Sequence, residues 1–399
     1  MHVPLWRTPG MPALLGVTIA GFSGYAVLLP LVPLWVVEGG AGPGGAGLVN
    51  GVLLAATVAS QLTVPALLRR FGWGPVMAAG LILLGLPSFA QLLSTSLPLA
   101  LGLAVVRGMG FAILTVTGAA AAAHLVGPER RGSAIGLYGL AVALPNLGLL
   151  PFGPILAEQL GWGVVFAIGT VPVLGIPFAL AAGPHLPATS VDVPTSGDDS
   201  SNGDGSSQLR PSLRPLLVPA GLLLAVTLTG GAVITFAPQV VAHPSTATAA
   251  LFAMGLSAAL CRWWVGGLAD RYGAARFVWT TTLLTTLCLF GLEFVLGLPD
   301  ATLVTGAPRV VVWVALSTLL GVGYGALQNL TYILTLRAAG DKHISAASAV
   351  WNAGFDAGTG IGSVAVGFIA AGAGFGWAFL AAGLACAASL PLAVRARRI

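Results

Sequence analysis

Charge is what this sequence has least of. Of its 399 residues only 29 are Asp, Glu, Lys or Arg, where a soluble domain carries roughly 25% of them to meet water over its whole surface. A soluble fold of this size is therefore excluded. Disorder is excluded too, because 56% of the chain is hydrophobic and the mean hydropathy is +0.94, and unfolded chains are weakly hydrophobic. The 56 glycines show no three-residue period, which removes a collagen-like reading. Cysteine occurs three times, at Cys261, Cys288 and Cys386. All three lie in apolar runs without metal-ligand spacing, so they read as small hydrophobes and not as a disulfide or metal framework. His124 and His243 have no second ligand at metal spacing, and no metal or other cofactor is expected. The absence of a G-x-x-x-x-G-K loop argues against ATP drive, and no Ser-His-Asp set can be assembled. Lysine appears once, as Lys342, beside sixteen arginines; with the heavy use of Ala and Gly this suits a GC-rich bacterial genome. What remains is a polytopic membrane protein.

A membrane helix needs about 20 mostly apolar residues. Such runs fall at 11–37, 45–68, 74–95, 97–125, 132–157 and 162–182, and again at 215–241, 246–269, 275–298, 308–337, 343–371 and 374–394. Between the two sets, 183–214 holds Asp192, Asp198, Asp199 and Asp204 among Ser, Gly and Pro, the composition of a flexible tether. The expected architecture is all-α, twelve transmembrane helices in two six-helix bundles, 1–182 and 215–399. The first run is too long for a cleavable leader, and Pro30 and Pro33 suit a bend in a gating helix.

Basic residues set the orientation. Arg7, Arg69, Arg70, Arg130, Arg131, Arg210, Arg214, Arg271, Arg276, Arg337, Lys342, Arg395, Arg397 and Arg398 fall on the side of the chain ends, and only Arg309 falls opposite. Both ends and the tether are expected in the cytoplasm, with the protein in the bacterial inner membrane. The net charge of +5 is thereby explained by topology, and nucleic-acid binding is not needed.

The halves repeat. P-A-L-L-R-R-F-G (Pro65 to Gly72) follows the second run and G-G-L-A-D-R-Y-G (Gly266 to Gly273) the eighth, at an offset of 201 residues. G-M-G-F from Gly108 matches G-V-G-Y from Gly321 at 213, and Ser133-Ala134 matches Ser345-Ala346 at 212. Twofold repetition of six spans is a transporter architecture. G-G-L-A-D-R-Y-G resembles the loop signature of the major facilitator superfamily between helices 8 and 9. P-E-R-R-G-S-A-I-G-L-Y-G (Pro128 to Gly139), G-V-G-Y-G-A-L-Q (Gly321 to Gln328), W-N-A-G-F-D-A-G-T-G-I-G (Trp351 to Gly362) and T-F-A-P-Q (Thr235 to Gln239) resemble its drug-exporter and arabinose-efflux-like branch. Three features depart from that pattern. Arg69 replaces the first-half loop Asp. Ala104 stands where helix 4 usually carries Arg, with Arg107 at the usual Gln. The Gly-Pro pattern of helix 5 is degraded to Pro145, Gly148, Pro151 and Pro154.

Of the twelve acids, Asp356 alone lies deep in a run, about 20 Å along helix 11 at 1.5 Å per residue. A charge there costs at least about 2.5–3.5 kcal/mol on insertion scales, so it must line a cavity or find a partner. Its functional reading is a proton-coupling carboxylate; the bland one is a structural carboxylate tied to a helix end or to Arg107 or Arg262. Arg107, roughly 15 Å into helix 4, reads either as a coupling or substrate residue or as a packing anchor beside Gly108 and Gly110. Arg262 reads as structural or gating. The resemblance implies that Asp270, Arg271 and Gly273 form a latch between the halves; an interfacial charge pair is the plainer account, worth about 0–1 kcal/mol. It also implies that helices 1, 4, 7 and 10 line the solute path. That gives Tyr25, Thr115, Tyr324, Gln328 and Asn329 as candidate substrate contacts, with Asn146 and Asn352 added from helices 5 and 11. Thr117, Thr229 and Trp351 lie nearby. Mid-helix Thr usually bonds its own helix carbonyl, and so sparse a polar set suits an apolar or amphiphilic solute.

The resulting expectation is a monomeric secondary transporter exporting such a solute by alternating access, with protons as the coupling ion. The alternatives are an uptake symporter or facilitator of the same fold and, in another class, a membrane sensor or intramembrane enzyme.

Overall fold

With no water in the bilayer core, each spanning segment must satisfy its own backbone hydrogen bonds, and helices do so within one segment. A computed structural model describes residues 4–187, 216–297, 303–339 and 344–396, and these are helical almost throughout. In chain order the spans are α1 (Met11–Glu38), α2 (Pro43–Gln61), α3 (Trp73–Leu93), α4 (Leu97–His124), α5 (Arg131–Gly148 continued by Gly153–Leu160) and α6 (Trp162–His185). The second half has α7 (Leu217–Val240), α8 (Pro244–Tyr272), α9 (Ala275–Gly297), α10 (Ala307–Ala339), α11 (Ile344–Ala373) and α12 (Phe375–Arg395). Among the described residues the sole extended pairing is an isolated bridge between Val241 and Val304. The expected tether lies largely outside the described residues; its first residues, Gly183–His185, form a 3-10 turn that finishes α6.

Several expected runs are interrupted, and two of the breaks fall at prolines that matter for the site. The run 45–68 ends as a helix at Gln61 and restarts at Val64–Phe71. Pro65 has no N–H to offer the Gln61 carbonyl one turn back. The run 132–157 bends by 45° between Gly148 and Gly153, around Pro151. Pro33 has a third effect. It leaves the Leu29 carbonyl without its helical donor, and Asn50 Nδ2 of α2 supplies one at 2.9 Å.

The repeat is visible in the backbone. Gly72 and Gly273 turn from α2 to α3 and from α8 to α9 with φ of +76° and +84°, a region that L side chains avoid. Gly161 and Gly374 do the same before α6 and α12. The helix seams repeat too. A Cβ on Gly108 of α4 would strike the Leu53 carbonyl of α2, and one on Gly321 of α10 would strike the Met254 carbonyl of α8. These pairs are related by the same offsets as the sequence motifs. Small residues let backbones touch where lipid offers no hydrophobic drive to pack.

Between the halves, α2 and α11 form the tightest seam. Gly47 sits on the Ser363 carbonyl, Gly51 on Val364, and Gly360 on Leu54. On the other flank the Phe152 and Phe252 rings of α5 and α8 meet at 5.7 Å. All these contacts lie in the half of the molecule away from the chain ends, which is therefore sealed.

Candidate functional site

Two polar layers cross the seam. The outer one starts from the orphan carbonyl left by Pro33. Asn50 has two amide hydrogens; one goes to Leu29 O and the other to Thr235 Oγ1 of α7 at 3.0 Å. Thr235 Oγ1 lies 2.9 Å from Ser363 Oγ of α11, and Ser363 donates in turn to the Thr359 carbonyl at 3.0 Å. The network ties four helices and both halves, and each hydroxyl in it both accepts and donates.

The inner layer lies at mid-depth. Asp356 is only 7% exposed, and its Oδ2 accepts a hydrogen bond from Gln61 Nε2 at 2.9 Å. Gln61 is the last residue of α2 before the proline break, so the bond spans the halves. Neither Arg107 nor Arg262 is the hydrogen-bond partner of this carboxylate. Arg262 Nη1 instead donates to Gln328 Oε1 at 3.2 Å, and Asn329 Nδ2 donates to the Arg262 carbonyl at 2.7 Å. Tyr324, one turn before Gln328, is buried on the same helix.

In the first half the Tyr25 ring stacks on Phe111 with centroids 3.8 Å apart, and Phe22 packs edge-on against both. Stacked and edge-to-face pairs of this kind add about 0.5–1.5 kcal/mol beyond their buried area. Tyr25 is buried with only 8% of its surface exposed. Arg107 lies one helical turn before Phe111 and is 1% exposed.

The structure thus brings together Tyr25, Arg107, Arg262, Tyr324, Gln328, Asn329 and Asp356. It leaves the other candidates bonded within their own helices. Thr115 donates to the Phe111 and Ala112 carbonyls, Asn146 to Val142, and the exposed Asn352 to Ser348. Arg271 is exposed with its guanidinium 5.8 Å from the Tyr272 ring centroid, and Gly273 is the positive-φ turn. The Asp270 side chain lies outside the described residues. Sequence reasoning missed Gln61, Asn50 and Ser363. A signal existed for the first two, since Asn50, Leu54, Thr57 and Gln61 follow a helical period on one face of α2. Among the described residues no group of three His, Cys, Asp or Glu stands close enough to hold a metal ion.

The model of the Major Facilitator Superfamily matches residues 13–308 and 244–398. The chain belongs to the major facilitator superfamily. It is a multi-pass membrane transporter and not an enzyme. As a major facilitator it superposes on a bacterial homolog of the human lysosomal transporter Spinster, solved in an inward-facing, unoccupied conformation. The TM-score is 0.75 and the identity 14%, covering 100% of this chain and 98% of that one. The occupied form of the same transporter gives the same values. The nucleoside transporter NupG superposes with a TM-score of 0.72 at 11% identity, covering 97% of this chain and 99% of that one. At such identities the likeness concerns the fold. No curated protein matches the sequence.

Proposed function

We propose that the protein exports a small apolar or amphiphilic solute by alternating access, linked to proton movement through Asp356. The observation that carries this reading is the Gln61–Asp356 hydrogen bond. It joins the halves at mid-depth, so Gln61 reaches the carboxylate only while α2 and α11 are packed. The proton state of Asp356 and the packing of the seam are then linked equilibria, which is what coupling requires. Rocking of 1–182 against 215–399 would make and break the bond, with 183–214 as the tether between the two units. Arginine placement supports cytoplasmic chain ends, which makes the sealed face the outer one. The motifs of helices 5, 10 and 11 support a drug-exporter-like branch, and the ring wall of Phe22, Tyr25 and Phe111 supports an apolar contact for the solute. Arg262, Arg271 and Gly273 would act as gating residues, and Tyr324, Gln328 and Asn329 as polar contacts.

The deciding measurement is solute efflux in inverted vesicles under an imposed pH gradient, with the wild type and Asp356→Asn compared. Asparagine keeps the shape and an acceptor for Gln61 but holds no exchangeable proton, so uphill flux should vanish while downhill exchange persists. Uphill flux at the wild-type rate in Asp356→Asn would reduce the carboxylate to a structural group. An uptake symporter of the same fold would instead accumulate solute in right-side-out cells.

A further inference from the structure

Arg107 is the largest buried charge in the first half, and its guanidinium is largely unused. Nε and Nη2 are buried and have no hydrogen-bond partner in the protein. The carboxylate of Asp356 does not hydrogen-bond to the guanidinium, since its Oδ2 accepts from Gln61. An arginine stays charged in a protein, so it cannot escape burial by losing its proton. A helix-packing anchor would spend its five N–H groups on nearby carbonyls, as buried polar groups nearly always do. Here the adjacent helix contacts are made by Gly108 instead, whose carbonyl receives Thr57 Oγ1 at 3.1 Å. Nε and Nη2 form one edge of the guanidinium fork, the edge that takes a carboxylate or phosphate through two parallel hydrogen bonds. Phe111 shares the helix face of Arg107 one turn on, and it belongs to the ring wall of Phe22, Tyr25 and Phe111.

We propose that Arg107 receives the anionic head of the transported solute, which is therefore an organic anion: a carboxylate, phosphate or sulfonate on an apolar body that lies along the Tyr25–Phe111 wall. This rests on reading the mid-depth layer as the solute site and narrows the solute class. Arg107, which the sequence offers as a coupling residue, becomes a binding residue, and Asp356 keeps the proton. The arrangement also explains why a carrier would retain an unpaired buried cation. Removing it would stabilise the protein without its solute and destroy recognition.

The test is an equilibrium binding measurement on the full-length protein in nanodiscs of phosphatidylethanolamine and phosphatidylglycerol, with no pH gradient. Thermal unfolding midpoints are followed against naphthoate, naphthyl phosphate, naphthalene sulfonate and the neutral naphthamide, and affinities are taken from the concentration dependence. At least one of the three anions should bind wild type about tenfold or more tightly than the amide, a difference readily resolved on this scale. Arg107→Met should erase that preference. Arg107→Lys should keep some preference for the phosphate and lose it for the carboxylate, because an ammonium is a point charge and not a fork. Without ligand, Arg107→Met should unfold at or above the wild-type midpoint, since replacing an uncompensated buried charge by an apolar side chain of similar length removes its desolvation penalty. The proposal is overturned if no anion outbinds the amide in wild type, if Arg107→Met keeps the preference, or if that variant unfolds well below wild type as the loss of an anchor would require. These readouts involve no proton-driven flux, so their failure leaves the Asp356 reading standing, and failure of the flux test leaves them standing.

Discussion

Replacing Gly47 with alanine would put a methyl group on the Ser363 carbonyl of α11. Backbone cannot swing aside as the end of a flexible side chain can, so α2 and α11 must move apart. Overpacking of this kind costs about 1–3 kcal/mol. The seam joins the two halves, so the penalty falls only on the state sealed away from the chain ends. A coupling of that size shifts the ratio of sealed to open populations roughly 5- to 150-fold. The assay is labelling of a cysteine at Leu54 (Leu54→Cys), a seam residue 1% exposed, by an impermeant maleimide applied from the sealed face. Cys261, Cys288 and Cys386 are first replaced by alanine. Labelling should quicken in proportion to the population shift. Two controls sharpen the reasoning. At Gly44 an added Cβ would lie 3.4 Å from the Phe368 ring, an ordinary contact, so Gly44→Ala should label like the parent. At Gly362 the Cβ would strike the Leu228 carbonyl of α7 within the second half. Gly362→Ala should therefore lower thermal stability in both states without changing the labelling ratio. Equal labelling in Gly47→Ala and its parent would show that closure is held elsewhere.

Three further outcomes are expected. Asp356→Glu should retain part of the proton-linked flux that Asp356→Asn loses, because the titrating group survives on a longer stem; equal loss in both variants would point to geometry and not protons. A Gly/Ser segment of equal length in place of 183–214 should leave folding and transport intact, since the replaced composition offers no apolar face; complete loss of both would mean that the segment binds something. A cysteine tag at the C-terminus should resist impermeant reagents in intact cells and react after lysis, as the basic asymmetry requires; labelling from outside would reverse the orientation and the assignment of the sealed face.

Spans and repeat were legible because bilayer thickness sets a length and lipid permits few polar residues, so apolar runs stand out without any partner helix being known. Depth was legible for the same reason. Counting residues along helix 11 placed Asp356 near the midplane, and it is buried there. Partners were harder to read, because helix packing decides them. Of the two arginines considered for Asp356, Arg262 donates to Gln328 and Arg107 leaves Nε and Nη2 without a partner, while a neutral amide from α2 reaches the carboxylate. Proline offered an unused clue. Each mid-helix proline orphans a carbonyl one turn back, and for Pro33 that predicts a buried donor on a neighbouring helix, which Asn50 supplies. Polar residues alone were a poor guide to the site, since Thr115, Asn146 and Asn352 spend their donors on their own helices.

The repeat also shows where symmetry stops. Backbone features recur at fixed offsets, yet the side chains of the inner layer do not. Gln61 corresponds to Arg262, Phe111 to Tyr324 and Thr115 to Gln328. Arg107 corresponds to Leu320, which is fully buried, and Asp356 to Leu144, which is 65% exposed on a bent helix. The same depth is therefore buried in the second half and open in the first. The reason lies in the helices that carry the two positions. α11 runs unbroken for 30 residues and uses Gly358, Gly360 and Gly362 to bring its backbone against α7 and α2, which buries Asp356 between them. α5 bends by 45° at its proline-rich centre and meets α8 through bulky rings. One seam is therefore tight and carries Asp356, and the other is loose. On the proposed function, matched backbones would let the halves rock about a common axis, while the unmatched side chains set the fixed charge of Arg107 on one half against the carboxyl of Asp356 on the other.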